Sequence, residues 1–326
     1  MRLKKAGCAR SHYRKTDQDQ AAQCPPHNTS RNFLYVRKLC WSDRVFVIAD
    51  LLLLTALLTV ILYPLLYVVA SSFSGGYMLQ GLSLIPKKPT LAGYRAVFQD
   101  TSIWRGYLNT ILYTGLGTAM AMVVTILCAY PLSRGEFRFG QVAMALCVFT
   151  MYFGGGLIPT YLWEKQLGLL NTMWSFLLPA TLNVHNMIVM RTYFATQIPT
   201  EIRESTEIDG CGEWRYLTQF VLPLSGSVLA VIALYYAVAR WNSYFDAMIY
   251  LTDKAKLPLQ NILREILIVN SVSNDVSDAA AEAAAQTRAE LLKYAVIVVA
   301  TLPMMLVYPF VQKFFVQGVM LGSVKG

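Results

Sequence analysis

The sequence predicts an all-α fold: a polytopic membrane protein with six transmembrane helices and both termini cytoplasmic. Composition is the first observation, since 55% of the 326 residues are apolar and only 14% are charged, whereas a soluble domain carries about 25% charged residues. The second is that the apolar residues come in runs long enough, about 20 residues, to cross a hydrocarbon core of ~30 Å as helix. Six runs do so, at 45–70, 107–132, 141–163, 172–190, 221–239 and 294–312. Apart from Asp50 near the start of the first, they contain no Asp, Glu, Lys or Arg. Insertion demands this partition, because a charge at the bilayer centre costs about 2.5–3.5 kcal/mol. Membrane β-strands would instead alternate in polarity over segments of about 10 residues, and that pattern is absent.

The third observation is where the basic residues lie. The net charge is +9, and ten Lys or Arg precede Val45. An even number of spans puts both termini on one side, which the positive-inside rule makes the cytoplasm. The internal connectors then carry Arg134, Arg138, Arg191, Arg203 and Arg215, while the loop between the third and fourth runs has only Lys165. Topology therefore accounts for the basicity, and no nucleic acid partner is implied. The six cysteines form no Cys-x-x-Cys pair and none falls outside, so they read as reduced, non-structural thiols.

Along the chain, residues 1–44 are polar, irregular and basic, contain Pro25-Pro26 and lack the apolar core of a signal peptide. They read as a disordered cytoplasmic tail ahead of a membrane domain at 45–326. The first run carries Pro64 and exits through Ser71-Ser72-Phe73-Ser74-Gly75-Gly76. An external loop follows, with Pro86-Lys87-Lys88-Pro89 and an amphiphilic stretch at 91–104. The second helix is expected to start near Asn109-Thr110 and to end at Pro131. The third meets Gly154-Gly155-Gly156 and Pro159 near its outer end. Loosened backbone there either lines a path, where a cavity satisfies it, or forms a loop just outside the bilayer. The fourth run carries Pro179 and the most polar patch of any span, Asn183-Val184-His185-Asn186. Such a patch is either functional or hydrogen-bonding glue between helices, worth about 0.6–2 kcal/mol. In the loop at 241–292, the Ala-rich part after Ser277-Asp278-Ala279 predicts an external helix leading into the last run.

The segment 197–222 is the most informative. Pro199 suits a first helical turn, with Glu201 and Glu204 near the positive end of the helix dipole. Gly210 and Gly212 stop the helix, and Glu213, Trp214, Leu217 and Phe220 start another. Ile198, Ile202 and Thr206 share one face; Arg203, Glu204 and Glu207 take another. A short hairpin of this kind has no apolar partner nearby in sequence, which predicts that something in the cytoplasm covers it.

Glu204, Asp209-Gly210 and Leu222-Pro223 resemble, in order and spacing, the cytoplasmic E-A-A…G loop of type-I ABC importer permeases, the inner-membrane components of binding-protein-dependent transport. Asn109-Thr110, the stretch Ala129-Tyr130-Pro131-Leu132-Ser133-Arg134 and Trp241-Asn242 add to the likeness. Pro258-Leu259-Gln260 and the tail from Tyr308-Pro309-Phe310 to Val316-Gln317-Gly318 make it similar to the maltose-type carbohydrate permeases of the oligosaccharide subgroup. Ser205, Thr206 and Cys211 replace the alanines usual in the loop, and all three remain small. The resemblance implies a type-I core at about 105–312 and an ATPase-coupling loop at about 197–222. Its residues would be Glu204, Ser205, Thr206, Asp209, Gly210, Cys211, Leu222 and Pro223.

The partners it implies are two copies of an ABC ATPase, a second homologous permease and an extracytoplasmic solute-binding protein, assembled in the bacterial plasma (inner) membrane around a sugar or oligosaccharide. Transport would proceed by alternating access. ATP and Mg²⁺ would belong to the ATPase, since this chain has no G-x-x-x-x-G-K-[ST] loop; it also has no H-E-x-x-H, no G-x-S-x-G and no cluster of metal ligands. It therefore reads as a non-enzyme with no cofactor or metal of its own. Sugar recognition uses aromatic faces and hydrogen-bonding side chains, which makes Tyr152, Asn183, His185, Asn186, Tyr235 and Tyr236 candidates for the substrate path. Packing and interface anchoring are the competing reading. The alternative function is an ion-coupled secondary transporter working through His185, the sole histidine in a span.

Overall fold

The computed structural model describes residues 41–74, 89–272, 291–309 and 312. Every regular element among them is helical, and one isolated bridge, between Ser74 and Pro89, is the extent of β pairing. Helix α1, Trp41–Ser72, begins in a first unit that ends at Leu62 and runs on into a second that holds every other element. It takes in residues 41–44, which the sequence assigns to the tail; Trp41 is the kind of residue that anchors a span at the interface. No residue of its most apolar stretch is buried, as a lipid-facing helix requires. Thr55 and Thr59 turn their hydroxyls onto the carbonyls of Leu51 and Thr55, at 2.7 and 2.8 Å, so that no donor is left facing hydrocarbon.

In the second unit α2, Ala92–Gln99, leads into α3, Thr101–Ser133. Helix α3 starts well ahead of the expected Asn109-Thr110, because Asp100 caps it by accepting from the Ser102 amide at 2.8 Å. An apolar run marks only the part of a helix inside hydrocarbon. The third run is α4, Gly140–Tyr152, and α5, Leu157–Gln166, bent by 110° at residues 153–156. Gly156 there has φ 85°, a conformation that glycine adopts without steric cost.

The fourth run is not one continuous helix. It breaks into α6, Met173–Leu177, an irregular segment, and α7, Val184–Gln197. Pro179 cannot continue a helix, and Asn183 starts a new one by accepting from the Asn186 amide at 3.1 Å. The fifth run is also divided. Its first residues belong to α9, Glu213–Leu224, and the rest to α10, Gly226–Asn242, with an 83° bend at Ser225. Three described helices, α1, α3 and the last, α13 (Leu291–Pro309), are long and apolar enough to cross a membrane singly, or five if each bent pair is one span. Between α10 and α13 lie α11, Phe245–Tyr250, and α12, Leu259–Val272. The Ala-rich helix expected after Ser277, the tail before Trp41, residues 75–88 and the end from 313 lie outside the described residues.

Helix α3 organises the packing. Gly117, Ala121, Thr125 and Ala129, four residues apart, are buried along one face, and small side chains at that spacing let α7 and α10 approach closely. At one end of α3 a core of Met187, Met190, Phe194, Tyr216, Leu217 and Ile232 forms. At the other, Val97, Ile103, Tyr107, Trp241, Leu259 and Val296 gather α2, α12 and α13. The hairpin of residues 197–222 sits on the first of these cores.

Candidate functional site

Pro199 is the residue before α8, Thr200–Ile208, and not part of its first turn. The helix stops at Asp209. Gly210 takes φ 71°, the Cys211 amide donates to the Thr206 carbonyl at 2.9 Å and the Gly210 amide to the Glu207 carbonyl at 3.0 Å. That pair of bonds is a Schellman cap. Helix α9 follows from Glu213 and contains a π turn over Leu217–Val221. The predicted order of helix, glycine turn and helix is therefore what forms.

The inner face differs from expectation. Ile198 and Ile202 pack against the core that contains Phe194, Tyr216, Leu217 and Val221, and Thr206 is buried, so the chain's own core covers this side. What stays uncovered is the outer face: Ile208 is 87% and Trp214 68% exposed. Glu204, Ser205, Asp209 and Gly210 are exposed on the same hairpin, whereas Cys211 is half-buried. Leu222 and Pro223 lie at the far end of α9, beside the bend into α10.

Arg203 braces the hairpin. Its Nη1 and Nη2 donate to the two carboxylate oxygens of Glu136 at 2.8 and 2.7 Å, its Nε lies 2.6 Å from Glu207, and Nη2 is 3.4 Å from Glu213. Glu213 also accepts from the Tyr130 hydroxyl, with Arg134 3.6 Å away. The Arg134 guanidinium in turn lies over the rings of Tyr130 and Tyr216, 4.6 and 4.9 Å from their centroids. This network ties α8 and α9 to the connector 134–139 and the end of α3. The bidentate bond and charge of Arg203 hold the Glu136 carboxyl below its usual range. Glu136 in return pushes the Arg203 guanidinium up.

Of the path candidates, three come together at the break between α6 and α7. The buried Tyr236 hydroxyl bonds the Thr125 hydroxyl at 2.7 Å and accepts from the Asn183 amide at 3.1 Å, and Asn186 is buried alongside. Tyr152, His185 and Tyr235 are exposed, His185 in the first turn of α7 itself. Arg240, 5% exposed, was not legible as a site residue. It donates to the carbonyls of Phe176 and Leu177, both at 2.6 Å, and so holds the end of α6. It stands one residue beyond the run 221–239, where a charge reads as an interfacial boundary.

No family model matches the chain. Protein LplC of Bacillus subtilis (strain 168) is 40% identical over 287 residues, covering 87% of this chain and 96% of its own. The polygalacturonan/rhamnogalacturonan transport system permease protein YtcP of the same organism is 42% identical over 288 residues, covering 87% of this chain and 99% of its own. The chain belongs to the permeases of ABC sugar importers. A solved structure of a bacterial ABC transporter involved in the import of the acidic polysaccharide alginate superposes with a TM-score of 0.76 at 33% identity, over 85% of this permease and 99% of that chain. The protein is accordingly an integral plasma-membrane permease subunit of an importer that includes an ATPase and a solute-binding protein.

Proposed function

We propose that this permease moves an oligosaccharide cut from an acidic polysaccharide, by alternating access, with the hairpin of residues 197–222 as its cytoplasmic contact with a pair of ATPase subunits. A second homologous permease completes the path, and both termini of this chain lie in the cytoplasm with the hairpin. The observation that carries the reading is the hairpin itself: a backbone-fixed tip with Ile208 and Trp214 uncovered, braced by Arg203 so that a push on the tip moves the end of α3. The substrate class is supported by the relatives named for polygalacturonan and rhamnogalacturonan and for alginate, polymers built in part or whole of uronic acids. The ion-coupled alternative is not favoured, because family membership supplies an ATPase and His185 sits exposed in the first turn of α7.

Gly210→Asp tests the hairpin. A Cβ at this position meets nothing within 4 Å, so the cost to folding is the left-handed backbone alone, about 1–2 kcal/mol. The variant is expected to stay in the membrane but to lose the ATPase in a mild-detergent pull-down and to abolish uptake. A variant that keeps its ATPase and its uptake removes the coupling assignment. Equal uptake of oligogalacturonides and neutral malto-oligosaccharides by wild-type cells would refute the acidic substrate class.

A further inference from the structure

A groove of about 720 Å³ runs between α4, the end of α3 and the middle of α7. One of its walls is α4, a helix none of whose residues is buried. Its lining is polar at one end and apolar along the rest. Arg134, Gln141 and Arg191 stand at the end nearest the connector 134–139, while Met144, Val148 and Phe149 continue along α4, and no carboxylate lines it. The Arg191 Nε donates to the Leu132 carbonyl at 3.0 Å, which aims the guanidinium while leaving its two terminal amino groups without a bond among the described residues. We propose that this groove binds an anionic phospholipid of the inner leaflet, its phosphate on Arg191 and Gln141 and one acyl chain along α4.

The lengths agree. Thirteen residues of α4 rise about 20 Å, enough for one leaflet of a ~30 Å hydrocarbon core plus the headgroup level. The charge pattern selects the class of occupant. A sugar needs polar partners along its whole length, which this lining does not offer, whereas an anionic amphiphile needs cations at one end and apolar surface beyond it. Basic pockets between helices at the cytoplasmic surface bind anionic lipid headgroups. The assignment of the inner leaflet rests on the orientation proposed above. The headgroup chemistry does not.

The test is native mass spectrometry of the full-length permease released from mixed micelles of phosphatidylglycerol and phosphatidylcholine. Wild-type protein is expected to retain phosphatidylglycerol at least fivefold over phosphatidylcholine. Arg191→Gln should abolish that preference, and Ala145→Trp, which fills the groove without changing charge, should lower retention of both lipids at least fivefold. Arg95→Gln, at an exposed position outside the groove, should change nothing. Equal retention of the two lipids, or unchanged retention in both groove variants when each unfolds at the wild-type temperature, overturns the proposal. So does a cysteine at Val148 that cross-links to the second permease in the assembled complex, because the groove is then a subunit interface. A failed ATPase pull-down with wild-type protein would sink the coupling reading and leave the lipid site standing.

Discussion

Arg203 and Arg240 each hold a place where a helix stops, one among carboxylates at the edge of water and the other among carbonyl oxygens in the core. Arg203 faces Glu136, Glu207 and Glu213, whose side chains are 54–74% exposed. Arg240 is 5% exposed, makes no salt bridge among the described residues, and directs its fork at two carbonyls of α6. Water and salt compete for the first set of contacts and not for the second. The contrast fits the two regions: the hairpin has to move and be gripped by a partner, whereas α6 has to stay against α3.

Removing Arg240 is the severest test of this contrast. Arg240→Ala removes two buried bonds to a charged group, worth about 1.5–3 kcal/mol each, and leaves the Phe176 carbonyl without a donor among the described residues while that of Leu177 keeps the Thr181 hydroxyl at 3.0 Å, so a loss of about 3 kcal/mol is expected in thermal unfolding of the detergent-solubilised protein. Arg240→Lys should recover less than half, since an ammonium lacks the planar fork. A variant as stable as wild type would mean that packing alone holds α6. Next in size is Gly210→Ala, expected to cost about 1–2 kcal/mol through its positive φ and to speed hydrogen exchange at 205–213 without lowering the global transition. Arg203→Ala should cost less again, within about 1 kcal/mol, the range of exposed ion pairs. Its effect should vanish near 1 M salt, where the screening length falls to about 3 Å. If the Arg240→Ala deficit shrinks equally in salt, the two sites are not different in kind.

The smallest effect is a pH dependence at the hairpin. Because Arg203 lowers the folded-state pKa of Glu136, its contribution is complete above the ordinary carboxylate range and is lost as pH falls through the lowered value. Arg203 itself, pushed upward, stays charged throughout. Protection of 200–213 from hydrogen exchange should therefore weaken only on the acid side. Glu136→Gln should abolish that limb, and a limb that survives would assign it to another carboxyl.

Apolar runs are enough to place α1, α3 and α13, because a long uncharged segment has few other ways to meet its solvent. They mislead where polarity is local. Between 172 and 190 the average hydropathy hides Pro179 and the Asn183 cap, each of which acts on single backbone groups, so two short helices read as one span. The hairpin is legible because a positive-φ glycine and the flanking helix starts leave their mark within a few residues. Its ionic brace is not, since Glu136 lies 67 residues from Arg203 and their meeting depends on how α3 and α8 pack. For the same reason Arg240, 64 residues from Phe176, gives no sign in sequence of what it holds.

The π turn at Leu217–Val221 sets the phase of the hairpin. In a regular helix, Tyr216 and Val221, five positions apart, would point about 140° away from each other. The wider turn brings both into the core, at 3% and 1% exposure. One residue of length thus acts like a notch on a dial: deleting it would swing Trp214 and the glycine tip about 100° around the α9 axis while α10 kept its seat. The bearing of the contact surface toward a neighbour can then be reset by a single insertion or deletion, independently of every residue that lies in the bilayer.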